Sequence, residues 1–233
     1  MTSNAAVYVD ETRYNIYASI HKGLRRAQGQ LMIRLGAIDA LNDAQVADLI
    51  RDMRLLVLMG RKHLQHENVF VHTEIENRSV GATARLVDDH DDHERDFVDL
   101  EARLAQIEAA SPEQRSPLLR ALYLRYTDFL AHDFEHMIEE ETETLSLLHS
   151  LFSDEELAGI EGRIIGSVEP DLMMEFIRIM IPAMNPAERL EMLGGMKAAM
   201  PVPVFAAVVD MGVKPVLEPA DWEALEQALA RAA

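Results

Sequence analysis

Apolar residues recur every three to four positions along most of the chain, the spacing of helices that each bury one stripe. The first such pattern runs from about Val9 to Gly36 through Tyr14, Ile16, Tyr17, Ile20, Leu24, Leu31 and Leu35, with His21 near its middle. After the turn-like segment Asp39–Asp43, where Asn42 or Asp43 suits an N-cap, a second passes through Leu49, Met53, Leu56 and Met59 into His63, Glu67 and Phe70 and should end near Asn77. A third, from about Gly81 to Ala109, carries Leu86, His90, His93, Phe97, Leu100 and Leu104 and stops at Ser111-Pro112. The fourth, from about Pro117 to Ser150, carries Leu119, Leu122, Tyr126, Phe129, His132, His136, Glu140 and Leu147. Four long helices with short connections predict an all-α protein with an antiparallel four-helix bundle over residues 9–150.

Beyond Ser150 the pattern changes to shorter helices, beginning at a capping box with Ser153 at the N-cap and Glu156 three residues on. Residues 153–233 are rich in Met and Pro and contain no histidine, and they are expected to form an α-helical C-terminal extension. Met173, Met174, Met180, Met184, Met192, Met196 and Met200 fit gap-filling in a core, the commoner use of methionine, or an adaptable surface for a protein partner.

Charge and composition narrow the functions. With 22 Lys and Arg against 40 Asp and Glu, the formal net charge is -18, which repels nucleic-acid phosphates and anionic lipid and leaves cations as the favoured small partners. An acidic balance is also an ordinary route to solubility, so where the charges cluster matters more than their sum. The 233 residues include no cysteine, which excludes disulfides, thiolate zinc sites, iron–sulfur ligation and thiol catalysis; any metal must be held by His and carboxylate. The N-terminal MTSNAAVYVDETRY lacks a basic region followed by an apolar run, and no stretch approaches the roughly 20 apolar residues of a membrane span, so a cytoplasmic location is expected. No P-loop, Gly-rich dinucleotide fingerprint or serine or lysine nucleophile constellation is visible.

All nine histidines lie between His21 and His149. His63 and Glu67 are four residues apart, as are His136 and Glu140, which puts an imidazole and a carboxylate one turn apart on the same face of two different helices. A carboxylate can bridge two cations and a neutral imidazole gives one strong donor, so two such pairs facing each other build a dinuclear site. His21 and His90 supply an imidazole from each of the other two helices. A single His-x-x-x-Glu pair is more often a helix-surface hydrogen bond; two pairs plus two histidines at similar depth point to a metal. His66, about 100° around the helix from Glu67, and His72 and His149, more than a turn beyond the proposed ligands, are expected away from the ligand set, the latter two at the surface. His132 is either a further ligand or a group hydrogen-bonded to one. Tyr14, Tyr17 and Tyr126 fit aromatic core packing, the more frequent outcome, or hydroxyls pointed at bound oxygen species.

The segments Ile20-His21-Lys22-Gly23-Leu24-Arg25, His63 to Phe70 (HLQHENVF), Asp89 to Glu94 (DHDDHE) and Phe129 to Glu141 (FLAHDFEHMIEEE) resemble, in order, the hemerythrin-like family, also called the HHE cation-binding family. The resemblance covers roughly Tyr14 to Ser150. It implies a non-haem di-iron centre with Glu67 and Glu140 as bridging carboxylates, His21, His63, His90 and His136 as terminal ligands, and His93 or His132 completing the set. Oxygen-carrying members place two histidines four apart on the third helix and end the fourth with a histidine followed five residues later by an aspartate. Here His90 and His93 are three apart and the fourth helix ends in His136 and Glu140, a pattern similar to members that sense iron, respond to nitric oxide or oxygen, or repair iron centres. The cysteine-bearing segment of the repair proteins is missing. The stretch Arg163 to Leu190 is loosely similar to the helical continuation of some bacterial and plant members.

Three functions are consistent with these residues: a di-iron protein that binds or senses O2, NO or iron; a di-iron oxidase or peroxidase; and a metal-free helical interaction module. Manganese or zinc would suit the same donors.

Overall fold

A computed structural model describes residues 9–231, and every regular element among them is helical. They fall into two compact units. The first comprises the stretch up to Ala18 and Ala27–Gly166; the second comprises Ser19–Arg26 and the stretch from Ser167 onward. Among the described residues no helix is long and apolar enough to cross a membrane.

The first unit is built on α1 (Ala18–Gly36, of which residues 27–36 belong here), α2 (Asp43–His66), α4 (Ala84–Ala109) and α5 (Pro112–Glu139). The short α3 (Thr73–Arg78) and α6 (Leu145–Leu151) continue α2 and α5 through intervening π-helical turns, and α7 (Asp154–Ser167) closes the unit. Expected and observed helix ends agree closely where cap chemistry is strong. Asn42 caps α2 by accepting from the Gln45 N–H at 3.1 Å. At α5 the Ser111 N–H donates to Gln114 Oε1 at 3.4 Å, and Pro112, with φ preset and no N–H to satisfy, opens the first turn. That start lies ahead of the expected Pro117.

The first helix departs from expectation. Residues 9–17 are not helical, because Asn15 Oδ1 accepts from the N–H groups of Tyr17 and Ala18, both at 3.0 Å, and starts the helix there. The preceding segment is tied across the unit instead: the Arg13 guanidinium donates to the His149 and Phe152 carbonyls and pairs with Asp154 at 2.8 Å.

The apolar stripes meet as the periodicity requires. α4 packs against both α5 and α2, burying Leu100, Leu104, Ile107, Leu122, Leu49 and Met53 to 1% exposure or less. Gly60 permits the close approach of α2 and α4, since a Cβ there would lie 2.7 Å from Phe97 Cζ. A second cluster, Ile16, Tyr17, Val71, Ile75, Leu145, Leu148, Phe152, Leu157 and Ile160, packs α3, α6 and α7 together. Leu157 and Ile160 of α7 are part of this cluster, which is why the first unit extends to Gly166 rather than ending near Ser150.

The predicted capping box at α7 is present. The Ser153 N–H donates to Glu156 Oε2 at 2.8 Å, and Arg78 holds the other oxygen at 2.6 Å. The Arg78 guanidinium and then the Ser153 N–H keep the Glu156 carboxyl at about 2, below the ordinary 4.5. A group depressed on folding contributes stability above its unfolded value and loses it as pH falls through the folded value. The melting difference between wild type and Glu156→Gln should therefore be largest near neutral pH and shrink between about 4.5 and 2; a difference independent of pH would show that the charge contributes nothing.

The second unit consists of residues 19–26 and of α8 (Pro170–Met180), α9 (Pro186–Ala199), α10 (Val202–Val208) and α11 (Pro219–Arg231). Its core holds Ile177, Ile181, Met184, Leu193, Val213 and Leu225, with Met173, Met174, Met180, Met192, Met196 and Met200 packed partly buried against it. The methionines thus fill core space. Arg189 links the elements by donating to the Ile181 carbonyl at 3.0 Å and pairing with Asp221 at 2.9 Å.

Candidate metal centre

The two His-x-x-x-Glu pairs sit where α2 and α5 give way to π-helical turns. Glu67 opens the turn Glu67–His72 and Glu140 opens the turn Glu140–Thr144. A π-turn carries one residue more than an α-turn would and recurs at functional sites, where it re-aims side chains. Both glutamates are buried, at 3% and 0% exposure.

Around them the imidazoles converge. His63 Nε2 lies 3.2 Å from Glu67 Oε1, while Glu67 Oε2 faces His90 Nε2 at 3.7 Å. Glu140 Oε1 faces the same His90 nitrogen at 3.8 Å and Glu140 Oε2 faces His136 Nε2 at 3.5 Å. Donor atoms of His63, Glu67 and Glu140 lie within 4.8 Å of one another, and so do those of Glu67, His90, His136 and Glu140. The two groups share both carboxylates. This buried cluster can hold a metal ion.

The orientation of His90 is set from outside the cluster. Its Nδ1 lies 2.9 Å from Asn68 Oδ1, a residue of the first π-turn. With the amide oxygen accepting, Nδ1 carries the proton and the Nε2 lone pair points inward. There it meets His136 Nε2 at 3.1 Å, so two imidazole nitrogens aim at one small volume. Burial pulls the His136 imidazole down to about 4, partly offset by Glu140, which leaves it neutral and able to donate to a metal near neutral pH. Burial acts on His90 in the same sense, but the Glu140 and Glu67 carboxylates outweigh it and hold His90 above its ordinary value.

The remaining sequence candidates are placed differently. His21 is fully buried on α1, within the Ser19–Arg26 stretch that belongs to the second unit. His93 is buried with its ring edge-on to His136, centroids 4.9 Å apart, and its Nε2 3.8 Å from Asp133 Oδ1; it joins neither donor group. His132 is exposed one turn before His136 and also joins neither. His66 is half-buried beside Phe70.

His72 corrects the expectation of a surface residue. It is 2% exposed and stacked on His90 at 5.0 Å, both ring nitrogens lack a hydrogen-bond partner, and burial, then His90, lowers it to about 4. Counting helical turns beyond Glu67 placed it outside the site; the extra residue of the π-turn turns it back toward α4. His149 is half-buried, its Nε2 2.9 Å from the Tyr14 carbonyl oxygen.

Three further neighbours surround the centre, of which only Tyr17 stands out in the sequence. Tyr17 is 1% exposed, and burial followed by the nearby Glu140 and Glu67 carboxylates pushes its phenol well above the ordinary value. Asp133 accepts from Gln28 Nε2 at 2.6 Å behind His93. Asn68 holds His90 Nδ1 from the first π-turn.

The chain matches no family model, no curated protein and no solved structure. The chemistry of the centre therefore stands on its donors: two carboxylates and three imidazoles of one unit, with no thiolate, a set suited to first-row divalent metals.

Proposed function

We propose that this chain is a non-haem di-iron protein of the hemerythrin-like kind, its centre held within an antiparallel bundle of the four long helices, and that it binds or senses O2, NO or iron. The observation that carries the reading is the way Glu67 offers one oxygen to His63 and the other to His90 while Glu140 belongs to the same two donor groups. Carboxylates placed so are bridges between two ion positions. In this reading His63 serves one ion, His90 and His136 serve the other, and His21 is a further donor assigned on the sequence pattern.

The donor set fits the group. Two irons bound there supply redox equivalents and an open coordination position for a small ligand. The chain's own residues do the rest: Asn68 fixes the His90 tautomer, burial keeps His136 deprotonated, and the surrounding helices exclude bulk water from the carboxylates. Manganese and zinc suit the same donors, and iron is favoured by the resemblance of the four segments to the hemerythrin-like family.

Elemental analysis of protein purified without chelator tests the reading. About two irons per chain are expected, and few or none in Glu67→Ala and Glu140→Ala proteins. Wild-type protein that takes up no metal, even after anaerobic loading with ferrous iron, would leave a helical interaction module in its place.

A further inference from the structure

A cavity of about 370 Å³ opens between α4 and α5, beside the proposed centre. His132, Glu135, His136 and Glu139 line it from α5 at spacings of three and four, one face of that helix; Arg85, Asp89, Asp92, His93 and Asp96 line it from α4 in the same way. The lining is predominantly acidic. His136 is both a wall of the cavity and a member of the inner donor group, so the cavity reaches the centre itself.

Most of the acidic groups are already engaged. Asp92 pairs with Arg95, Asp96 and Asp128 with Arg125, and Glu139 with Arg85. Two lining groups are left over and a third is satisfied on one side only. Glu135 and His132 are exposed and have no ion pair or hydrogen bond among the described residues, and His93, 4% exposed, has a buried Nδ1 with no hydrogen-bond partner. Asp89 stands between these groups and the centre, its Oδ2 3.7 Å from His136 Nδ1. Solvated salt bridges explain the paired acids. They do not explain a buried imidazole nitrogen, His93 Nδ1, left without a partner in the same cavity as an unpaired carboxylate and an unpaired histidine.

We infer that this cavity is an entry site for a divalent cation, in which Glu135 and His132 capture the ion from solvent and Asp89 and His93 hold it briefly before it passes to the donors around His136. The inference rests on the proposed metal centre as the destination. Carboxylate and imidazole together suit a hydrated first-row divalent ion that exchanges water for nitrogen as it moves inward. A wall of net negative charge raises the local concentration of such ions and speeds their capture, an effect that salt screens. Arg85, largely exposed and reaching across from α4 to Glu139 on α5, is a fixed positive charge at the same cavity and opposes entry.

Cobalt(II) alone serves as the probe, mixed rapidly with metal-free full-length protein at low ionic strength and followed by its visible absorption, with metal content measured after equilibration. The doubly substituted His132→Ala, Glu135→Gln protein should load at least about three-fold more slowly than wild type yet reach the same final content, and Arg85→Ala should load faster. Both differences should narrow at about 150 mM salt. All three substitutions lie on exposed positions that belong to neither donor group, so folding is retained. Wild-type loading rates in both variants would overturn the entry route while leaving the centre standing; wild-type protein that binds no cobalt at equilibrium would overturn the centre and the route together.

Discussion

Loading the metal-free protein with ferrous iron under anaerobic conditions should raise its melting temperature by about 8 °C or more, and the Glu67→Ala, Glu140→Ala protein should show no such gain. The size follows from linkage: a ligand present at about a thousand times its dissociation constant stabilises the folded state by about 4 kcal/mol, and a chain of this size shifts by about 2–4 °C per kcal/mol. Donors brought together from α2, α4, α5 and two π-turns are separated by long stretches of chain when unfolded, so the ion has little affinity for that state. A second expectation separates this from simple damage to the core. Without metal, Glu67 and Glu140 bring two carboxyl groups into one buried space, so replacing them should leave the metal-free protein at least as stable as wild type. Calorimetry of both proteins with and without iron checks both statements. Equal gains in wild type and variant would show that the metal binds elsewhere.

Ile75→Ala should cost about 2–5 kcal/mol and lower the melting temperature of the metal-free protein by several degrees or more. Ile75 is 0% exposed and lies one turn past the first π-turn, in the cluster that also holds Tyr17, Val71 and Leu145. Removing its side chain leaves a cavity among residues that pack α3 against α6, so little relaxation is available. Because the cluster includes Val71 of the first π-turn and Leu145 directly after the second, the same substitution should also weaken metal retention, although Ile75 is not a donor. Chemical unfolding and metal content of the one variant decide the matter; a loss under about 0.5 kcal/mol would mean the cluster contributes little.

Helix positions were legible because four amphipathic stripes and strong caps at Asn42 and Ser153 agree with one another. The two His-x-x-x-Glu pairs and His90 were legible for a related reason, since a spacing of four puts both groups on the core side of a helix. What periodicity could not carry was local. The start of α1 depends on one Asn15 side chain competing for two N–H groups, which an apolar stripe beginning at Val9 conceals. The burial of His72 and the inward grip of Asn68 depend on a π-turn, and the extended apolar count from Leu64 to Ile75 reads the same with or without it. His93 and His132 looked alike in sequence as members of the ligand stripe, yet one lies at 4% exposure beside Asp133 and the other is open to solvent, because neighbouring turns of α4 and α5 face the cavity at different depths.

The paired π-turns have a bearing on how such a centre can arise. Each is, in effect, a helix carrying one surplus residue at the position of the buried glutamate, and flanking turns keep their register whether that residue is present or not. A plain helical hairpin could therefore gain or shed this geometry through insertion or loss of a single codon, with the surrounding core left intact. That two such turns stand at matching places, each opening at the glutamate of a His-x-x-x-Glu pair, gives α2 and α5 a common local geometry.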